Sequence, residues 1–125
     1  MAKVFSDNVN DAALDYILDN ISHVHILNAE PDVDTWANIA SYTIGNAALV
    51  GGSFTGPADY GAGGRQIIAP ATNITVDSTD TVTHLAFVDT TGTEILMVTT
   101  VASEELTAAA TYAMPSFIIY FKDPV

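Results

Sequence analysis

Thr81-Val82-Thr83-His84-Leu85-Ala86-Phe87-Val88, then Asp89-Thr90-Thr91-Gly92, then Glu94–Val101, reads as a β-hairpin. The first arm alternates, with Val82, His84, Ala86 and Val88 on one face and Thr83, Leu85 and Phe87 on the other. Period-two alternation of β-branched and aromatic residues around a turn rich in Asp, Thr and Gly is a strand–turn–strand signal. Upstream, Arg65–Ala69 and Asn73–Val76 are short strand candidates separated by Pro70, and Asp77-Ser78-Thr79-Asp80 is a turn leading into the hairpin. Downstream, Ser103-Glu104-Glu105-Leu106 opens a connection through alanines, and Thr111–Met114 with Ser116–Phe121 predicts a last strand. Pro115 inside it implies an edge strand or a bulge, because proline cannot donate to a ladder. Lys122-Asp123-Pro124-Val125 reads as a tail.

The N-terminal part contributes a helix over residues 8–21. Asn8 or Asn10 is its expected cap, and Leu14, Ile17, Leu18 and Ile21 form a stripe at helical spacing. The stripe must be buried against the rest of the domain or against a neighbouring subunit. Asp11, Asp15 and Asp19 lie opposite it with no local base to neutralise them. Ser22–Asn28 follows as a strand, broken by Pro31; Asp34–Ala40 predicts one or two helical turns capped by Asp34, Ser41–Ile44 a brief strand, and Gly45-Asn46 a turn. Gly51–Gly64 holds six of the eight glycines and reads as a long irregular loop, with Phe54 and Tyr60 pinning it or presenting it to a partner. The expected architecture is a single all-β domain over residues 1–125. It is a β-sandwich or open barrel of about six to eight short strands, mainly β over 22–125, with the short N-terminal helix.

Composition narrows the function. Fifteen acidic residues face three basic ones, Lys3, Arg65 and Lys122, giving a net charge of −12. Nucleic acid and anionic membrane surfaces are excluded as partners, since both demand a basic footprint. Without cysteine there is no disulfide, thiolate nucleophile or Cys-based metal site. No apolar h-region follows Met1–Phe5 and no window approaches a membrane span, so neither a secretion signal nor a membrane helix is expected. Charged residues make up 14% of the chain against about 25% in an average domain, which leaves surface for protein contacts.

Candidate chemistry is sparse. His23 and His25 share a strand face and, with His84, are possible metal ligands; surface or packed histidines are the preferred reading, and no metal or other cofactor is expected. Asp32/Asp34 and Asp77/Asp80 flank turns without the spacing of an EF-hand, so turn-forming Asp is preferred over calcium ligation. Gly61-Ala62-Gly63-Gly64 lacks a following Lys-Ser/Thr pair and leads into a strand, which removes a phosphate cradle. Ser22 and His23 point to opposite faces of an extended chain and form no dyad. Arg65 is expected to clamp the glycine-rich loop through Asp59, or to bridge subunits. Tyr60, Trp36 and Tyr42 are candidate sugar-stacking rings. An enzyme is not expected.

Asp11-Ala12-Ala13-Leu14-Asp15-Tyr16-Ile17, His23–Leu27, Ala29-Glu30-Pro31, Phe54-Thr55-Gly56-Pro57-Ala58-Asp59, Gly64-Arg65, Thr83–Asp89 and Met97–Thr100 together resemble small virion structural proteins of tailed bacteriophages and prophages. The resemblance spans most of the chain and carries no catalytic motif. It implies a head (capsid) decoration protein on the particle exterior, made in the bacterial cytoplasm. Its partners would be the major capsid protein and copies of itself, with a homotrimer favoured. A tail, neck or fibre-associated protein is the alternative, and a carbohydrate-binding β-sandwich module a second one. Interface candidates are Leu14, Ile17, Ile21, Phe54, Tyr60, Arg65 and Pro115.

Overall fold

Ser6, not Asn8 or Asn10, starts the first helix, α1 (Asp7–Asn20): its hydroxyl accepts from the Val9 amide at 3.3 Å. A serine in extended conformation satisfies an orphan amide there, and Asp7 complements the helix dipole. Asn10 is buried instead and donates to Asp123 at 3.4 Å. The computed structural model describes residues 5–61 and 63–123; Lys3, Ala62 and the tail residues Pro124 and Val125 fall outside them.

The chain continues through β1 (His23–Leu27), α2 (Ala37–Tyr42), β2 (Thr43–Ala48), a 3-10 turn at Gly51–Ser53, β3 (Thr55–Asp59), β4 (Gly64–Ala69), β5 (Thr72–Val76), β6 (Asp80–Asp89), β7 (Glu94–Leu106), β8 (Thr111–Met114) and β9 (Phe117–Lys122). Six strands form a curled sheet in the order β7-β6-β1-β2-β5-β8, and three form a second sheet, β3-β4-β9. Each strand pairing is antiparallel. The all-β expectation holds, as does the N-terminal helix, with nine strands among the described residues rather than six to eight.

Local expectations differ from the structure in six places, the first being Ser41 and Tyr42, which end α2 instead of opening a strand. Residues 51–64 are not one long loop: Thr55–Asp59 is a strand, and the Tyr60 amide donates to the Gly64 carbonyl at 3.0 Å where the chain returns to β4. Gly45 lies inside β2, where a Cβ would come within 2.5 Å of the Thr75 carbonyl oxygen; the glycine serves strand approach, not a turn. Asp34 does not cap α2, which begins after Trp36. Ser103–Leu106 continues β7 instead of starting a connection. Pro115 does not interrupt one strand; it joins β8 in the large sheet to β9 in the small one.

The core lies between the inner face of the large sheet and a second layer made of α1 and the small sheet. Leu14 and Ile17 of α1 and neighbouring Ile21 meet Val24, Ile26, Ile74, Val82, Leu85 and Phe87 of the large sheet and Ile67, Ala69 and Ile119 of the small one. Each of these side chains apart from Ala69 contributes about 1.5–3 kcal/mol on full burial. The β6 alternation slips between Val82 and His84, where the β6–β7 register shifts, so Val82 shares the core face with Leu85 and Phe87. On the opposite face Leu27, Ala86, Val88 and Ile95 pack beneath Ile39, Trp36 and Tyr42.

Candidate interaction surface

The small sheet is built around β4. β4 and β9 pair through six consecutive residues without a register shift, from Gly64↔Lys122 to Ala69↔Phe117. Alternation sends Ile67, Ala69 and Ile119 inward to the core. Ile118 and Tyr120 face outward, 48% and 49% exposed, and Phe121 is 41% exposed. Ile118 and Tyr120 form an apolar patch on the outer face, while Phe121, near the end of the strand, is exposed on the other. The signal was visible as Phe117-Ile118-Ile119-Tyr120-Phe121, a run without a polar break, but an alternating strand and a two-sided one look alike when every residue is apolar.

Arg65, on β4, holds this sheet to the helix. Its Nε donates to Asp11 Oδ1 at 2.8 Å and Nη2 to Asp11 Oδ2 at 3.2 Å, while Nη1 donates to Asp59 Oδ1 at 2.7 Å. Asp7 stands 3.9 Å away. The clamp through Asp59 is therefore present, and it extends to α1. The hydrogen bonds from Arg65 to Asp11 and Asp59 raise the guanidinium pKa further above its ordinary value.

Tyr60 follows β3 and stacks on Tyr120, with ring centroids 4.2 Å apart and planes 3° from parallel. Partial burial raises the Tyr60 phenol pKa, with a further push from Tyr120. Phe54 packs edge-on against Phe87 at 5.8 Å and pins the chain entering β3. Pro115 lines a cleft of about 380 Å³ with Leu85, Val101, Tyr112 and Phe117, between β7 and the β8–β9 connection. Burial there, then the charge of Glu104, raises the Tyr112 phenol.

Leu14, Ile17 and Ile21 are 0%, 7% and 6% exposed. The stripe takes the first of its two alternatives, burial within the domain, and these three side chains have no surface to offer a neighbour. Trp36 and Tyr42 pack on the far face of the large sheet, away from Tyr60, so the three candidate sugar-stacking rings do not converge.

His23 and His25 do share a face, with rings 6.3 Å apart. The Thr43 hydroxyl donates to the Ile39 carbonyl and so accepts from His25 Nδ1 at 2.9 Å. Burial, then the neighbouring His23, pushes His25 down to about 4. His84 Nδ1 engages Thr83 at 2.8 Å, and among the described residues no three His, Asp or Glu side chains form a metal-ligand group. Ser22 and His23, expected to diverge, are in contact at 3.0 Å. The Ser22 hydroxyl also accepts from the Thr90 amide at 2.9 Å and contacts the Val88 carbonyl at 3.3 Å, fastening the start of β1 to the hairpin turn. Asp32 accepts from the Asp34 amide at 3.0 Å, and Asp80 from Thr81 at 2.7 Å and Asn28 at 2.9 Å, the local bonding of turn-forming aspartates. The bonds from Asn28 and Thr81 lower the Asp80 pKa.

No protein-family model, no curated protein and no solved structure matches this chain.

Proposed function

We propose that this chain is a structural virion protein of a tailed bacteriophage, a head decoration subunit that acts by holding surfaces together and not by catalysis. The observation that carries the reading is the exposed apolar pair Ile118 and Tyr120 on the outer face of a strand whose other face is anchored in the core through Ile119. Contiguous exposed apolar surface on a rigid element suits protein contact. The sequence resemblance to small virion proteins supplies the setting, and the net charge of −12 argues for a protein partner over packaged DNA. Many copies on a lattice turn modest single contacts into stable attachment.

Particles of the encoding phage, produced without this chain and then mixed with the purified protein, test the reading by co-sedimentation. Near-stoichiometric pelleting with heads supports decoration. Binding to isolated tails but not heads overturns decoration in favour of a tail or neck component, and binding to neither overturns the virion role.

A further inference from the structure

Four strand edges border the two sheets, and three of them are protected. β7 carries two register shifts and exposed Glu104 and Glu105. β8 has four residues and ends at Pro115. β3 contains Pro57, which has no amide hydrogen, and its pairing is irregular between Thr55 and Ala58. Short length, charge, proline and bulges are the usual means of blocking edge-to-edge pairing. β9 has none of these between Phe117 and Phe121. It pairs with β4 on one side, and among the described residues no strand lies on the other.

We propose that the free edge of β9 pairs antiparallel with β9 of a second copy, making a twofold dimer with a continuous six-stranded sheet. This deepens the reading of the small sheet as a contact surface by naming its occupant. The strand itself favours a second copy. Phe117-Ile118-Ile119-Tyr120-Phe121 is nearly palindromic about Ile119. A twofold contact sets the same pattern against itself in reverse. With Ile119 on the axis, Ile118 lies opposite Tyr120 twice on the outer face and Phe117 opposite Phe121 twice on the other. Aromatic and β-branched partners are favourable cross-strand pairs, and antiparallel partners must share a face, which this register satisfies.

Charge selects the same place. Two molecules of net charge −12 repel each other. Arg65 on the small sheet is already neutralised by Asp11 and Asp59, Lys122 ends β9, and Phe117–Phe121 carries no charge. Approach along β9 therefore brings few carboxylates together. An isologous contact of this kind closes as a dimer, so it replaces the favoured trimer at this surface.

The exposed parts of Ile118, Tyr120 and Phe121 amount to roughly 200–350 Å² per copy, taking about 150–250 Å² for each large side chain. A standard interface buries about 800 Å² per partner. The dimer is thus expected to be weak in solution.

Sedimentation equilibrium of the full chain, from about 10 µM to about 1 mM, tests this. Monomer should convert to dimer across the range, and more readily as added salt screens the repulsion. Ile118→Lys and Tyr120→Lys, both outward-facing, should each weaken association at least tenfold. Val50→Lys, at another exposed apolar position, should leave it unchanged; thermal melts confirm that each variant is folded. Monomer throughout, a trimer, or association indifferent to the β9 substitutions overturns self-pairing. A monomer at the highest concentration that still co-sediments with heads overturns self-pairing and leaves the decoration reading standing.

Discussion

Arg65 on β4 and Asp11 on α1, 54 positions apart, form a two-point ion pair that joins the small sheet to the helix. The planar guanidinium matches the carboxylate in a fork that lysine cannot reproduce. The same residue reaches Asp59 at the end of β3, so one side chain ties three elements together. Arg65→Ala should lower the melting temperature, and Arg65→Lys should lower it less while losing the two-point geometry. Thermal unfolding at low and high salt checks this. The difference between wild type and Arg65→Ala should shrink with salt, because the pair is partly exposed.

Phe87 is fully buried between Phe54 and Phe117, with ring centroids 5.8 and 5.7 Å away. It connects the large sheet to the chain segments leading into both edges of the small one. Phe87→Ala should destabilise the fold by about 3–5 kcal/mol. Urea denaturation followed by circular dichroism measures it. A loss below about 1 kcal/mol would place the ring outside a close-packed core.

Gly64 has φ +107°, and a Cβ there would stand 2.1 Å from the Phe121 carbonyl oxygen. Gly64→Ala should therefore disturb the β4–β9 ladder and cost roughly 2–4 kcal/mol through the unfavourable backbone and the clash. Gly52, with open space around it, is the matched control, and Gly52→Ala should be within about 0.5 kcal/mol of wild type. Amide exchange localised to residues 64–69 and 117–122 separates a ladder defect from general destabilisation.

His25 is neutral in the folded protein because burial, and then His23, push it down to about 4 from an ordinary value of 6.5. Between these values the unfolded chain binds the extra proton and the folded one does not. Stability from this residue is complete above about pH 6.5 and falls as pH drops toward 4. Partial exposure weakens the effect through solvent screening. His25→Gln should flatten the stability profile between pH 6.5 and 4, read by denaturant titration at several pH values. A profile identical to wild type would show that His25 titrates normally.

The hairpin at 81–101 and the helical stripe at Leu14, Ile17 and Ile21 were legible because each depends on residues a few positions apart. The glycine-rich segment misled because glycine permits irregular backbone without requiring it; Thr55–Asp59 becomes a strand through its pairing with β4. Asp11 looked unneutralised on the helix, since its base arrives from another element. Of the candidate contact residues, Tyr60 and Arg65 lie on the small sheet or its turn, Phe54 and Pro115 beside the junction of the layers, and the helix stripe inside the core. Ile118, Tyr120 and Phe121 escaped notice because a uniformly apolar strand does not say which of its faces is covered.

By itself, the sequence determined the all-β class, the N-terminal helix, the central hairpin and a strongly negative surface. These follow from local periodicity and from summed charge. Only the tertiary structure decided that Pro115 switches the chain between sheets, that Arg65 finds Asp11, and that among the described residues no strand covers the second edge of β9. Those features arise when the two layers close on one core, and closure joins residues whose separation along the chain carries no periodic signal.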